Sequence, residues 1–474
     1  MKTRTETYQE RLERTALAPL TSTSKAYRLM FFLLLAAVAW AGYAYFTQLN
    51  NGLIATGMRD QVMWGLYLVN FVFFIGISHA GTLISAILRV TDAGWRTPVT
   101  RMAELITVVA ISIGALMPII DLGRPDRVWH MVAYGRFQSP LLWDIVSITS
   151  YLTGSLIYLY LPMIPDFALM RDKLGHGASA LRRKIYTLLA AGWHDTPQQR
   201  RRLEKAIGIM AVTIIPIAIS VHTVVSYVFS MTLRPGWDST VFGIYFVIGA
   251  IFSGIASILI VMAIFRKIYH LEEYITERHF RNLGYLFLVS LALYFYLTLG
   301  EYLTMVYKLK GEDRLLLNSL FVGETAGWFW FFVVAGMAVP AALLLMRRYP
   351  VIPRVLIAAV LVNAAMWVKR FVIVIPSLQV PLMPLEFGAY TPTWVEWSIT
   401  GGAFAAFILI FAVFAKLMPI LSIWEVAEMG ETHQPGRLGK LISHLRHEPD
   451  KETSLKQLAN ERPHTGRLNV DGAD

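Results

Sequence analysis

Between Gln61 and Arg89 an apolar run, QVMWGLYLVNFVFFIGISHAGTLISAILR, carries one Asn and one His far from either end. An amide and an imidazole in hydrocarbon are costly unless partnered or functional, so Asn70 and His79 are the first candidates for chemistry. Both can hydrogen-bond a flat polar ligand, and His79 can also move a proton. A lone intramembrane His also serves simply to bond two helices. The small Gly76, Ser78, Ala80 and Gly81 around it leave room for a ligand or a neighbouring helix. A later apolar run ends MPIIDLGRPDRVWH and the next begins SPLLWD, which sets Asp121, Arg124 and Asp126 at one membrane face and Asp144 about one turn inside it. Pro118, Gly123 and Pro125 make this exit irregular, a backbone form tolerated at membrane depth only where it is buried or lines a cavity. Asp121 and Asp144 are therefore expected as proton acceptors, with Arg124 tuning the carboxylate, Asp126 a loop charge and Asn70 sharing the pocket of Asp144. His79 is expected deeper.

His222 is the other His inside a span. Counted from the inner ends of their helices, His222 and His79 lie at about 24 Å and about 15 Å, a mismatch that argues against a shared haem. Lys369 and Arg370 are adjacent cations in hydrocarbon and need partners, for which Glu301 and Glu324 are the nearest carboxylates in the pattern. This group, with His222, reads either as a buried ion-pair staple or as a proton path.

The elements that must position these residues are all helical. Ten segments reach the roughly 20 apolar residues a span requires, at 26–48, 62–88, 102–120, 141–161, 206–227, 241–265, 283–305, 326–346, 351–375 and 395–418. The expected fold is an all-α polytopic membrane protein. Hydrophobic residues make up 55% of the chain against 16% charged, which excludes an ordinary soluble core. There is no cysteine, so neither a disulfide nor a thiolate-held zinc or iron–sulfur centre belongs to this chain. No metal or haem ligand set is expected. The net charge of +11 reflects Lys and Arg gathered in alternate loops by about four to one, which predicts both termini in the cytoplasm rather than nucleic-acid binding. No nucleotide-binding loop, zinc helix or nucleophile elbow is present.

The chain also repeats itself. Moving forward 178 positions, Gly65, Tyr67, Val69, Phe74, Gly76 and Ile77 meet Gly243, Tyr245, Val247, Phe252, Gly254 and Ile255, whereas Asn70 meets Ile248 and His79 meets Ser257. A duplicated scaffold that keeps its polar pair in one copy points to a site in that copy. The expected divisions are an N-terminal tail (1–25), a first helix (26–48), two four-helix bundles (62–228 and 241–376), a tenth helix (395–420) and a C-terminal tail (421–474), the last solvated and partly disordered. The loop 162–205, with Arg182–Lys184 and Arg200–Arg202, reads as an anchor beside anionic lipid.

WGLYLVNF from Trp64, SHAGTLISAILR from Ser78, RMAELIT from Arg101 and DLGRP from Asp121, followed by LLWD, resemble the polysulfide-reductase-like (NrfD-type) membrane subunits. Within that family the pattern is most similar to the NrfD-type membrane subunit of bacterial alternative complex III. The resemblance implies a quinone, such as menaquinol, bound as substrate in the first bundle near the outer face by Asn70, His79 and the Asp121–Arg124 exit, below an iron–sulfur partner subunit. It further implies c-type cytochrome subunits, a second membrane subunit of the same type, lipids, and a place in the bacterial cytoplasmic membrane in a respiratory or photosynthetic chain, with proton translocation as a possible coupled activity. An ion-coupled transporter built from repeats is the competing class, and a passive anchor the third.

Overall fold

The computed structural model describes residues 8–174, 180–346, 348–383 and 386–431. The expectations for the C-terminal tail from residue 432 onward lie outside the described residues. Ten helices are long and apolar enough to cross a membrane: α1 (Lys25–Asn51), α2 (Leu66–Val90), α3 (Thr97–Asp121), α4 (Pro140–Tyr160), α5 (Pro197–Ser230), α6 (Phe242–Ile268), α7 (Glu277–Lys308), α8 (Ala326–Leu345), α9 (Val351–Gln379) and α10 (Trp394–Leu417).

Three of the extra-membrane expectations change. The start of the C-terminal tail is not solvated: Ile423–Glu431 is a helix with Ile423 and Val426 buried and Glu425 paired with Arg89. The N-terminal tail contains a helix, Tyr8–Thr21, whose Glu13 pairs with Lys173 and whose end is held by Lys416 Nζ donating to Pro19 O at 2.8 Å. The stretch 162–205 is largely helical: Ile164–Leu174 continues from α4, Ala180–Leu189 follows, and Arg200–Arg202 lie within α5. α5 begins early because Thr196 and Gln199 form a reciprocal cap, Gln199 N–H donating to Thr196 Oγ1 and Thr196 N–H to Gln199 Oε1. At 34 residues α5 is about 51 Å long, well beyond the roughly 30 Å of hydrocarbon.

Packing centres on α2, which is buried along 94% of its apolar window. Its small residues explain why. A Cβ on Gly81 would fall 2.0 Å from the Ala103 carbonyl of α3, and a Cβ on Gly254 of α6 would fall 2.0 Å from Ala80 Cβ. In lipid there is no hydrophobic force between apolar helices, so such close approach, with its dispersion gain, is what holds them. α2 and α6, equivalent in the internal repeat, thus meet through small residues. α1 and α10 pack along each other outside them, with Gly402 against Ala41 and Trp40 Nε1 donating to Ser398 Oγ at 2.9 Å. α8 widens into a π turn at Val334–Ala338 just before Pro340, whose ring clashes with a normal helical carbonyl four residues back.

Gly254→Leu should destabilise the protein by about 1–3 kcal/mol or more, since the added side chain meets α2 with no room to yield. Thermal unfolding in lipid–detergent micelles reads it, and Ala80→Gly in the same chain should restore part of the loss.

Candidate functional site

Helical spacing decides which residues can share a site. Asn70 and His79 are nine positions apart, about 2.5 turns, so they face opposite sides of α2. Asn70 faces α9 and α10: its Nδ2 donates to Thr400 Oγ1 at 2.8 Å and its Oδ1 accepts from Trp367 Nε1 at 2.9 Å. It therefore does not share a pocket with Asp144. The nine-residue spacing was legible from sequence, but which neighbours each side of the helix meets depends on where α9 and α10 pack. Trp367 in turn borders a crevice of about 390 Å³ between α2, α8, α9 and α10, lined by Phe73, Trp328, Phe331, Asn363 and Phe404.

His79 points the other way, toward α4 and α5, and is fully buried. Its ring centroid lies 4.3 Å from that of His222 and 6.3 Å from that of Tyr151. The expected depth mismatch between the two histidines is wrong: their rings meet, so the inner ends of α2 and α5 are not level. The rings touch directly instead of facing each other across a gap. Neither His79 nitrogen nor His222 Nδ1 makes a hydrogen bond of good geometry. Beyond His222 comes Arg370, whose charge reaches it. The guanidinium is 1% exposed, stacks 5.1 Å from the Phe246 ring centroid and leaves Nη1 unbonded. A Cβ on Gly76 or Gly249 would stand 3.7 or 3.3 Å from Arg370 Nη2, so the cation fills the space between α2 and α6 that these glycines leave.

Lys369 is bound differently. Its Nζ donates to Tyr302 Oη at 2.8 Å and to Glu301 Oε2 at 3.5 Å, and sits 4.8, 5.1 and 5.3 Å from the ring centroids of Tyr302, Phe332 and Tyr245. The expected Glu301 pairing is present. Glu324 is exposed, in the turn before α8, and makes no salt bridge to either cation. The aromatic cage does what a second carboxylate was expected to do, supplying electron-rich faces to a desolvated ammonium. Tyr245 and Tyr294 stack with centroids 4.9 Å apart, linking the Lys369 pocket to Arg370.

At the Asp121-bearing end the expected cluster is looser than the sequence implied. Arg124 is exposed and forms a two-point pair with Asp126 at 3.0 and 2.9 Å, so it does not tune Asp121. The short turn Pro125–Arg127 brings these two together in solvent, and the pairing holds Asp126 below the usual carboxylate range. Asp121 Oδ1 and Asp144 Oδ1 are each buried without a hydrogen bond. The neighbours of Asp121 are Tyr67 and Glu396, groups the sequence did not single out. Tyr67 Oη donates to Gln48 Oε1 at 2.5 Å, and Gln48 Nε2 donates to Ile120 O at 2.9 Å, bracing the end of α3. Glu396, fully buried, caps its own helix and accepts from Gly57 N–H and Tyr390 Oη, both at 2.6 Å. Burial and the adjacent Glu396 carboxylate push the Tyr390 phenol far up, so it stays a donor. The sequence signal for Glu396 was a T-x-x-E cap opening an apolar run.

A duplicated ten-span helical protein, with polar and charged groups threaded through its interior and no cluster of three or more metal-ligating residues among the described residues, is a polytopic membrane protein with an intramembrane polar site. The family model for polysulphide reductase, NrfD, matches residues 55–381, and the chain belongs to that family. It is 26% identical, over 80% of this chain and 87% of the relative, to a Halobacterium salinarum protein named as a membrane subunit of dimethyl sulfoxide reductase. It is 24% identical to a selenate reductase subunit of Mesobacillus selenatarsenatis, over 81% of this chain and 92% of that one. It is also 24% identical to the integral membrane subunit of menaquinone reductase from Nitratidesulfovibrio vulgaris, over 78% and 86%.

Lys369→Met should leave Glu301 as a buried carboxylate without its cation and cost about 3–5 kcal/mol. Adding Glu301→Gln should recover much of that loss. Melting temperatures of both variants in lipid nanodiscs check the coupling.

Proposed function

We propose that this chain is the quinone-handling membrane subunit of a multi-subunit oxidoreductase. It binds a quinol, menaquinol by its similarity to the menaquinone reductase subunit, takes the protons on buried side chains of the first bundle, and releases the electrons to an iron–sulfur subunit on the Asp121 face. The observation that carries this reading is the mid-membrane contact of His79 with His222, with Arg370 beyond. The pair has unbonded ring nitrogens, and the internal repeat places Ser257 where the first copy has His79. Unpartnered polar groups at full burial are expensive, and a protonatable set of them is what proton-coupled chemistry uses.

Oxidising a quinol frees two electrons and two protons, so the site needs acceptors for both. Asp121 and Asp144, each with a buried unbonded oxygen, are proton acceptors at the end where the electrons leave. His79 is the deeper acceptor. Asn70, committed to Thr400 and Trp367, orients rather than accepts, and the apolar crevice beside Trp367 suits a hydrocarbon chain lying in the membrane. A cysteine-free chain passes electrons to a partner's cluster. The finer assignment is to a complex of the alternative complex III type in a bacterial cytoplasmic membrane. There both termini are cytoplasmic, c-type cytochromes and a second membrane subunit of the same family are companions, and Glu301, Lys369 and His222 couple turnover to proton movement. Against the ion-coupled transporter, α8 alone among the described spans carries a π interruption, while its repeat counterpart α4 runs unbroken from Pro140 to Tyr160.

His79→Ala and Asp121→Asn should each lower quinol oxidation by roughly 100-fold while the complex still assembles. Steady-state turnover of the purified variants measures this, and wild-type rates in both would remove these residues from the site. A density map of the complex should place a quinone ring in the first bundle. A ring ordered between α6 and α7 with none beside α2 would reverse that assignment.

A further inference from the structure

Three helices of the first bundle turn hydroxyls and one carboxylate toward a single interior seam. Ser78, Thr82 and Ser85 recur every three or four residues on α2, Glu104 and Thr107 stand one turn apart on α3, and Tyr151, Ser155 and Tyr158 repeat the spacing on α4. All are buried. The seam starts near the basic end of the bundle, where Arg89 pairs with Glu425 of the helix Ile423–Glu431, and Arg101 pairs with Asp166. Ser85 Oγ donates to Glu104 Oε1 at 2.6 Å and lies 3.4 Å from Tyr158 Oη. One turn deeper, the hydroxyls of Thr82, Thr107 and Ser155 surround that of Tyr151. Tyr151 Oη donates to Ser78 O at 2.9 Å, and its ring packs against His79.

Buried hydroxyls commonly do no more than bond the backbone, as Thr107 Oγ1 does by donating to Ser78 O at 2.6 Å. Two observations set this seam apart. Thr82 Oγ1, Ser155 Oγ, both nitrogens of His79 and Nδ1 of His222 lack well-formed hydrogen bonds along one line, and buried groups of that kind are ordinarily bridged by ordered water. The internal repeat supplies the control: 178 positions on, Ser78, Thr82 and Ser85 become Ala256, Ile260 and Ala263, so the scaffold stands without the polar residues.

We propose that this seam is a proton path between the His79–His222 pair and the aqueous phase at the basic end, with Glu104 as its exit carboxylate. A proton that His79 has taken from the quinol passes from its ring nitrogen through Tyr151, Thr82 and Ser155 to the Tyr158 and Ser85 hydroxyls and on to Glu104, which becomes a carboxylic acid. Each hydroxyl gives up one proton as it accepts another, so no charge rests on it. Glu104 then releases its proton to water and returns to the carboxylate, leaving His79 neutral for the next turnover. The path rests on the proposed quinol chemistry only for what drives it.

The test uses the whole complex in sealed vesicles. With menaquinol and an electron acceptor, Glu104→Gln should slow proton release to the basic side by roughly 100-fold, the low end of what a positioned acid or base contributes. Turnover of the same vesicles made leaky to protons should persist, and Glu104→Asp should restore release in part. A merely structural Glu104 would lower assembly or leaky-vesicle turnover and leave the ratio of protons to electrons intact. Without any quinol, the infrared carboxyl band lost in Glu104→Gln should shift on transfer to D2O, and Thr82→Val with Ser85→Ala should slow deuterium exchange at the His79 ring. Proton release and exchange equal to wild type in these variants overturn the path. If wild type fails to oxidise menaquinol, the functional proposal falls, while the exchange measurement still decides the seam.

Discussion

The tight fit around α2 is the constraint on which the rest depends. In lipid the helix cannot gain by hiding apolar surface from water, so it is held by atoms in contact. Gly81 against the Ala103 carbonyl and Ala80 against Gly254 set two neighbours at the closest distance their backbones permit. Those same two residues, Ala80 and Gly81, directly follow His79. The packing that fixes α2 therefore also fixes the azimuth of the imidazole and sends it toward α4 and α5. It likewise leaves Asn70, about two and a half turns away, no choice but the α9–α10 side.

Charges deep in the protein follow a second rule: each is desolvated, and each is compensated by what lies within a few ångströms. Lys369 has a carboxylate, a phenol and three aromatic faces. Arg370 has one ring, tyrosines nearby and an unbonded nitrogen, which makes it the less settled of two adjacent cations. Glu396 is the best provided of the buried carboxylates, because it closes the start of its own helix and accepts from a neighbouring loop as well.

Apolar run length set the ten spans almost without ambiguity, since a helix satisfies its backbone internally and little else survives in hydrocarbon. Residue type marked His79, His222, Lys369, Arg370, Glu301 and Asp121 as unusual, and all are embedded within the spans. What could not be read was angle and level. Depth counted from the ends of apolar runs misplaced His222 because the inner ends of α2 and α5 are not level, and the Arg124 side chain turned to Asp126 because of a local backbone bend that spacing alone does not encode. Glu104 passed unremarked as a residue for chemistry. A single carboxylate one turn from an Arg looks like a surface pair until α4 is seen to close over it.

Arg370 has a mechanical consequence. Its guanidinium occupies the notch between Gly76 and Gly249, where α2 of one copy of the repeat meets α6 of the other. Swinging one half against the other would have to draw this cation away from Gly76 and His222 and open the Ala80–Gly254 contact in the same stroke. The side chain acts as a rivet. In a protein pinned this way the two halves move as one block.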